Sequence, residues 1–335
     1  MEEQIIQDRM GEFLRPYVND YIFDELSDNY LEKAGVKDIL SGVPVPVKKT
    51  ELTGLTNLKI AQNMATIIGC DINFKYRDNY VQYIIRSFTK DFIKPLLNEG
   101  IDSAAKKDYD YACICFRAAL LIDPESADAL YCYGRACKDS YEIGEDEDYI
   151  GRYKAESLDS FEKLTLKKPD FDMGFYFLGY AYLNLGLYVK AQLTWKEFLK
   201  LTSDSTLIEE INEWMPKLED PVKIEEGYND VLSGRYAEGI VILEGYRDDE
   251  RFNTWWPLWY YLGAAYSQTG DLHKAEEAFK QVLTLSPSNL EAMDELVEIY
   301  VANNEPEKAK KYSEKIALIQ KNNAEDRGIK PGNLS

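Results

Sequence analysis

Histidine is almost missing from this chain of 335 residues, which contains a single copy, His273. Most acid–base, metal and nucleophile–base sites depend on histidine, because its charge changes near neutral pH. The sequence also lacks the GxSxG, Walker-loop and HExxH patterns that mark common catalytic sites. We therefore predict a protein that is not an enzyme, with no catalytic residues and no cofactor.

Cysteine is sparse, and its spacing suits no metal site. The five copies include no CxxC pair, and no histidine lies near them. A zinc site needs four soft ligands at defined spacings. We predict no bound metal, and reduced thiols that pack as small core residues. The copies are Cys70, Cys113, Cys115, Cys132 and Cys137.

Long apolar runs are missing as well. No stretch approaches the roughly 18–20 residues that a membrane-spanning helix needs. The first ten residues, MEEQIIQDRM, lack the apolar core of a secretory signal. The sequence therefore predicts a cytoplasmic protein that has no membrane partner.

Basic residues are outnumbered, since 39 lysines and arginines stand against 59 aspartates and glutamates and the net charge is −20. Phosphate backbones repel such a chain, so no nucleic-acid partner is expected. Residues 1–92 contain 11 basic and 14 acidic residues, and the remainder contains 28 and 45. The acidity therefore belongs mainly to the later part, where it favours encounters with basic segments.

A repeat of 34 residues dominates that later part. Its clearest copy is WPLWYYLGAAYSQTGDLHKAEEAFKQVLTLSPSN at residues 256–289. Places 4, 7, 8 and 11 of this unit form an apolar stripe on a first helix, and places 20, 24 and 27 do so on a second. Gly263 and Ala275 are small enough to let these helices approach closely. Gly270 is expected to end the first helix, and Pro287 to stop the second.

The unit resembles the tetratricopeptide repeat family, and the resemblance covers residues 93–323. It implies an all-α fold in which about six helix pairs stack into an α–α superhelix, with a helical region before them. The last copy is the least regular, as expected of a terminal unit with a polar outer face. The other copies align at residues 93–126, 127–171, 172–205, 220–253 and 290–323.

The same alignment predicts the domain organisation. Two blocks of three repeats are expected, and a short spacer helix separates them. An N-terminal helical cap or small helical domain precedes the blocks, and a flexible tail follows. In chain order these regions are 1–92, 93–205, 206–219, 220–323 and 324–335.

Two local interruptions have their own predictions. The second copy is 45 residues long, so we predict an insertion of 11 residues between its helices, near 141–151. Its acidic run EIGEDED lacks the ligand spacing of a calcium loop and is predicted to be a solvated loop. The spacer at 206–219 has one apolar helix face and is predicted to end at Pro216.

The first 92 residues show no repeat. We predict an amphipathic helix that starts near Pro16, and a polyproline-like segment at 41–49, SGVPVPVKK. Two more helices are expected, over 55–68 with a stop at Gly69 and over 76–90. This helix pair would cover the open apolar face of the first repeat.

The family resemblance also implies a binding surface. In that family the first helices line an inner groove, and places 5 and 9 commonly face it. Tyrosines at such places are large, stiff and half-polar, and recognition surfaces use them as anchors. Packing of several of these rings between neighbouring helices is the alternative. The implied peptide-binding residues are Tyr131, Arg135, Tyr176, Tyr180, Tyr228 and Tyr260.

The function implied is that of a non-catalytic scaffold or adaptor. Its partner would be a peptide or helical segment that is basic overall, with apolar or aromatic anchors. The carboxylate clamp of family members that bind chaperone tails is absent, because its places hold Tyr131, Arg135, Phe177 and Pro221. The alternative is a peptide-gated regulator resembling the family's signal-peptide receptors, although residues 1–92 show no basic DNA-binding helix. The sequence does not define an oligomeric state.

Overall fold

The computed structural model describes residues 7–51 and 55–326, with side chains described up to residue 322. Apart from two short strands, the regular structure in these ranges is helical, which confirms the predicted all-α class. The chain divides into two compact units. The first extends to Gly186 and includes Leu193–Ile208, and the second comprises Leu187–Gln192 and the chain from Glu209 onward.

The segment before residue 50 departs most from prediction. The amphipathic helix expected from Pro16 onward and the polyproline-like segment expected at 41–49 are both wrong, because the two regions pair as antiparallel strands. A sheet of two strands has only edge strands, and a proline is tolerated there because its missing N–H breaks no ladder bond. The elements are α1 (Gly11–Leu14), a 3-10 helix (Arg15–Asp20), β1 (Tyr21–Asp24), α2 (Asp28–Ala34), α3 (Lys37–Leu40) and β2 (Val45–Lys48).

Two longer helices follow, α4 (Asn57–Cys70) and α5 (Arg77–Phe88), and a 3-10 turn (Lys90–Phe92) leads into the repeats. Both helices were predicted. However, α4 continues through Gly69 instead of stopping there. A side chain at Gly69 would overlap the carbonyl of Ile114, so this glycine permits close packing of two helices.

Six helix pairs make up the rest of the described chain, which confirms the predicted number of about six helix-pair repeats. The last helix continues through residues 324–326 of the predicted tail, and residues 327–335 lie outside the described ranges. The pairs are α6 (Ile93–Ala105) with α7 (Tyr109–Ile122), α8 (Ala127–Ile143) with α9 (Glu147–Lys167), α10 (Asp172–Asn184) with α11 (Tyr188–Leu201), α12 (Ser205–Leu232) with α13 (Tyr236–Glu244), α14 (Trp256–Thr269) with α15 (Leu272–Leu285), and α16 (Leu290–Ala302) with α17 (Pro306–Asp326).

A glycine and a large side chain close the seam within each regular pair. In α14 and α15, a Cβ added at Gly263 would lie 2.9 Å from the ring of Phe279. In α10 and α11, a Cβ at Gly179 would overlap the indole of Trp195, which is fully buried. The predicted role of the glycine at place 8 is therefore confirmed. Gly270 also ends α14 as predicted, in the left-handed conformation at φ 86°.

The insertion in the second pair does not form the predicted loop. It lengthens both helices instead, so that α8 has 17 residues and α9 has 21, and only residues 144–146 connect them. Asp146 begins α9 by accepting a hydrogen bond from the backbone N–H of Tyr149 at 2.8 Å. The rings of Tyr149 and Tyr153 then contact each other one turn apart, tilted by 32°, with 4.2 Å between their centroids. The acidic run therefore ends one helix and begins the next.

The predicted end of the spacer helix at Pro216 is wrong. Helix α12 runs for 28 residues through both Pro216 and Pro221. Each proline removes one backbone donor from the helix. Burial of Ile211, Leu218 and Ile224 along its length offsets that loss. The spacer and the first helix of the fourth pair are thus one element.

Hydrogen bonds between a tyrosine and a glutamate connect successive pairs. Tyr182 on α10 donates to Glu162 on α9 at 2.6 Å, and Tyr300 on α16 donates to Glu276 on α15 at 2.9 Å. Tyr266 on α14 bonds Glu244 on α13 in the same way. All three tyrosines occupy place 11 of their repeat, so each phenol fastens a first helix to the preceding second helix.

The start of the described chain is fastened to the first unit by charge. Asp8 and Arg117 form an ion pair at 2.7 Å with side chains only 3% and 6% exposed. Arg9 pairs with Asp159 at 2.5 Å and with Glu156 at 3.3 Å. Residues 8 and 9 are therefore fixed on second helices α7 and α9.

Candidate functional site

The six predicted site residues divide between the two units. Tyr131 and Arg135 lie one turn apart on α8, and Tyr176 and Tyr180 lie one turn apart on α10, all in the first unit. All four are half-buried. We call these four residues the first-unit surface. The remaining two residues belong to the second unit.

Phe177 brings the first-unit surface together. Its ring lies 6.0 Å from the ring of Tyr131 and 5.0 Å from that of Tyr176, between ring centroids. Tyr176 in turn meets Tyr180 edge to face at 5.2 Å. Because Phe177 is itself nearly buried, at 9% exposure, the half-buried rings around it rest on a packed base.

The second helix of the third pair holds these tyrosines in place. Trp195 donates its indole N–H to the carbonyl of Tyr176 at 3.1 Å, and its ring meets the ring of Tyr180 at 4.8 Å. Phe198 meets Tyr176 at 5.3 Å. The approach of Trp195 depends on Gly179, so the repeat pattern itself positions this part of the surface.

Arg135 is held by aromatic groups. Its guanidinium lies 4.6 Å from the ring centroid of Phe177 and 5.9 Å from that of Tyr131. Its Nη1 donates to the hydroxyl of Tyr131 at 3.2 Å. Its Nε is buried and has no acceptor among the described residues. One turn further along α8, burial raises the pKa of Asp139, and the charges of Arg135 and Lys138 oppose that rise.

In the second unit, Tyr228 is part of an aromatic stack. Its ring lies 4.4 Å from Tyr261 and 6.1 Å from Trp255. Burial raises the pKa of the Tyr228 phenol, and the hydroxyl is buried without a partner among the described residues. Tyr228 therefore contributes mainly to packing, because its ring is stacked and its hydroxyl is not accessible to a partner.

Tyr260 has a different environment, since it lies near carboxylates. Its ring meets Trp256 at 6.4 Å and Phe279 at 5.7 Å. Burial raises the pKa of the Tyr260 phenol, and the charges of Glu295 and Glu291 raise it further. Trp256, one turn before Tyr260, is 40% exposed. An aromatic group and an acidic helix therefore adjoin here.

Helix α16 supplies that acidic side, which we call the α16 acidic face: Glu291, Asp294, Glu295 and Glu298. These residues follow the spacing of one helix face. Within residues 7–51 and 55–322, none of the four forms an ion pair. Burial, together with Glu298 and Asp294, raises the pKa of Glu295. Sequence reasoning did not select this face, although four acids without a basic residue one turn away are visible in the sequence.

The side chains described here form no cation site. No group of three or more His, Cys, Asp or Glu residues in the described ranges is placed to hold a metal ion. All five cysteines are free thiols, four of them buried. In the described part of the chain, no helix combines the length and apolarity needed to cross a membrane.

A surface depression of about 520 Å3 lies away from the predicted residues, between α5 and α6. Lys90 and Lys94 line it, and they pair with Asp123 and Asp91 at 2.8 and 2.7 Å. Because its charges are matched within the chain, the depression offers a ligand little unpaired charge.

A family model matches one segment of this chain. Residues 256–289 match the tetratricopeptide repeat. Solved structures that resemble the chain include the P58(IPK) TPR domain, at 15% identity over 89% of this chain and 75% of that one, with a TM-score of 0.47. YrrB, described as a TPR protein with an unusual peptide-binding site, has 16% identity over 64% and 96%, with a TM-score of 0.33. MamA from Desulfovibrio magneticus RS-1 has 14% identity over 69% and 96%, with a TM-score of 0.28. No curated protein matches the chain.

Proposed function

Because residues 256–289 form a tetratricopeptide repeat, we propose that this protein is a non-catalytic scaffold that binds a peptide or helical segment of another protein. The observation that carries the proposal is the first-unit surface. Its three tyrosines are half-buried and mutually supported through Phe177. Stiff aromatic groups of this kind give large contact area at low entropic cost. A few such anchors suffice for micromolar affinity.

The partner segment is basic overall and has apolar or aromatic anchors. The α16 acidic face supports this choice, because its four carboxylates form no ion pair within the described residues. The charges of three of them, Glu291, Asp294 and Glu295, act on Tyr260. A lysine or arginine of the partner would pair with these carboxylates and contact the neighbouring aromatic rings. The scaffold works in the cytoplasm in this proposal, and its five free thiols suit a reducing compartment.

Selection of peptides from a random library displayed against the full chain tests this function. We expect enriched peptides with lysine or arginine next to tyrosine, tryptophan, leucine or isoleucine. D294K/E298K should weaken their binding about tenfold or more, because it reverses the charge of the α16 acidic face. The control E277K/E307K makes the same charge change on exposed positions of second helices and should leave binding nearly intact.

The aromatic anchors have a separate test. Tyr131→Ala should weaken binding of the enriched peptides, while Leu166→Ala should not, since Leu166 is 84% exposed on a second helix. Thermal unfolding followed by circular dichroism shows whether each variant is folded. Failure to enrich any peptide, or equal binding by all variants, would count against the scaffold function.

A further inference from the structure

Arginines in the described part of the chain pair with carboxylates, with one exception. The described ranges contain ten arginines, and every one but Arg135 forms an ion pair with an aspartate or glutamate. The nine that do are Arg9, Arg15, Arg77, Arg86, Arg117, Arg152, Arg235, Arg247 and Arg251. In a chain with 59 acidic residues, a lack of available carboxylates does not explain the exception.

The surroundings of Arg135 replace a counter-ion with aromatic rings. The guanidinium lies over Phe177 and beside Tyr131, and its one hydrogen bond to the described residues goes to the Tyr131 hydroxyl. Its buried Nε has no acceptor within residues 7–51 and 55–322. A half-buried cation that forms no ion pair has lost hydration and recovers only part of that interaction from the protein.

This arrangement fixes the orientation of the group. Ring contacts hold the plane of a guanidinium, whose fork of donors matches the geometry of a carboxylate. Asp139, one turn along the same helix, makes no ion pair with it in the described structure. Arg135 therefore keeps unused donors in the middle of the first-unit surface.

We propose that Arg135 binds a carboxylate of the partner segment, so that the segment bears one anionic group among its aromatic, apolar and basic residues. The inference rests on the proposed scaffold function and specifies its ligand. The carboxylate comes from an aspartate or glutamate side chain, or from the C-terminus of the partner, since both present the same pair of oxygens. Tyr131 and Phe177 position the guanidinium, and a carboxylate would complete its hydrogen bonding.

Peptide selection in two formats tests this inference. One library ends in a free C-terminus, and the other is fused at its C-terminus, so that only side chains can supply a carboxylate. Enriched peptides are synthesised, and their affinities for the wild type, R135Q, R135M and the control R235Q are measured by fluorescence anisotropy. R235Q removes the same charge from an exposed arginine that is paired with Asp230.

We expect an aspartate, a glutamate or the free C-terminus at a fixed place in the enriched peptides. R135Q and R135M should raise the Kd about 10- to 100-fold, as loss of a charged hydrogen bond does, and R235Q should not. Replacing the peptide carboxylate with an amide should raise the Kd of the wild type by a similar factor and leave the Kd of R135Q unchanged. The format in which the fixed acid appears identifies its source.

The melting temperature separates binding from a purely structural role. If Arg135 serves a ligand, R135M should melt within about 2 °C of the wild type or above it, because methionine leaves no unpaired buried donor. A large fall in the melting temperature, or enriched peptides without a fixed acid, would overturn this inference and leave the scaffold function standing. Enrichment of no peptide in either format would overturn both.

Discussion

The fifth and the last helix pairs close their inner seams differently. In α14 and α15, Gly263 faces the fully buried ring of Phe279. In α16 and α17, the same two places hold Val297, which is half-buried, and Ser313, which is exposed. In the fifth pair the larger of the two residues lies on the second helix, whereas in the last pair it lies on the first.

The difference shows which neighbouring helix makes an aromatic residue at place 24 stabilising. In an inner pair, the first helix of the next pair helps to cover it, as α16 packs against α15. Residue 313 on α17 is exposed, so a large ring there would face water. A small polar residue there is consistent with the polar outer face expected of a terminal repeat.

The largest expected effect comes from removing the aromatic ring that packs between α14 and α15. Phe279→Ala should lower the free energy of unfolding by about 3–5 kcal/mol, because it leaves a cavity under a fully buried ring. Ser313→Ala at the same place of the last pair should change it by less than about 0.5 kcal/mol. Urea unfolding measures both. Similar losses in the two variants would show that the two seams do not differ as described.

A second change overfills a seam. Gly179→Ala should destabilise the protein by about 3 kcal/mol, because the new methyl group overlaps Trp195 in a packed core. Gly151→Ala is the matched control, since nothing lies within 4 Å of a Cβ there and the residue is inside α9. That control should stabilise by about 1 kcal/mol through helix propensity. A Gly179→Ala protein as stable as the wild type would contradict the close approach.

A double-mutant cycle measures the coupling between Gly263 and Phe279. Gly263→Ala should be costly alone, but much less so once Phe279→Ala has removed the ring that the methyl group would strike. The coupling free energy should be about 1–2 kcal/mol. Additive effects would mean that the glycine and the aromatic residue do not share the seam.

The smallest effect concerns Glu295 of the α16 acidic face. The pKa of Glu295 is raised, so its folded form binds a proton more readily than its unfolded form. The stabilisation from that proton is present at low pH and is lost as the pH rises through the folded pKa. Glu295→Gln should therefore be more stable than the wild type near pH 7, by no more than about 0.5 kcal/mol because solvent screens the group.

The pH profile provides the control for that variant. The advantage of Glu295→Gln should shrink as the pH falls toward 4, where the wild-type carboxyl also takes up a proton. Thermal unfolding at a series of pH values measures it. A constant difference across that range would show that the charge of Glu295 is not responsible.

The helix pairs were predictable because their period is 34 residues and their small and aromatic places recur. The insertion near 141–151 was misread because it breaks that period. Its own helix signals, Asp146 as a cap and Tyr149 four residues before Tyr153, were present in the sequence. The strand at Val45–Lys48 was missed because alternating valine and proline favours an extended chain, and nothing local shows that a partner strand pairs with it.

The candidate surface was only partly predictable. Periodicity placed Tyr131, Tyr176 and Tyr180 on first helices, and the structure brings them together through Phe177. Whether they bind a partner remains a prediction. The isolation of Arg135 could not be read from sequence, since ion pairs join residues far apart in the chain, such as Arg9 with Asp159.

The ion pairs of residues 8 and 9 have a consequence for the order in which the chain folds during synthesis. Arg9 emerges from the ribosome 150 residues before Asp159, and Asp8 emerges 109 residues before Arg117. At 5–20 residues per second, residues 8 and 9 wait about 5–30 seconds for their counter-charges. Residues 8 and 9 therefore cannot form these ion pairs until helices α7 and α9 have been translated.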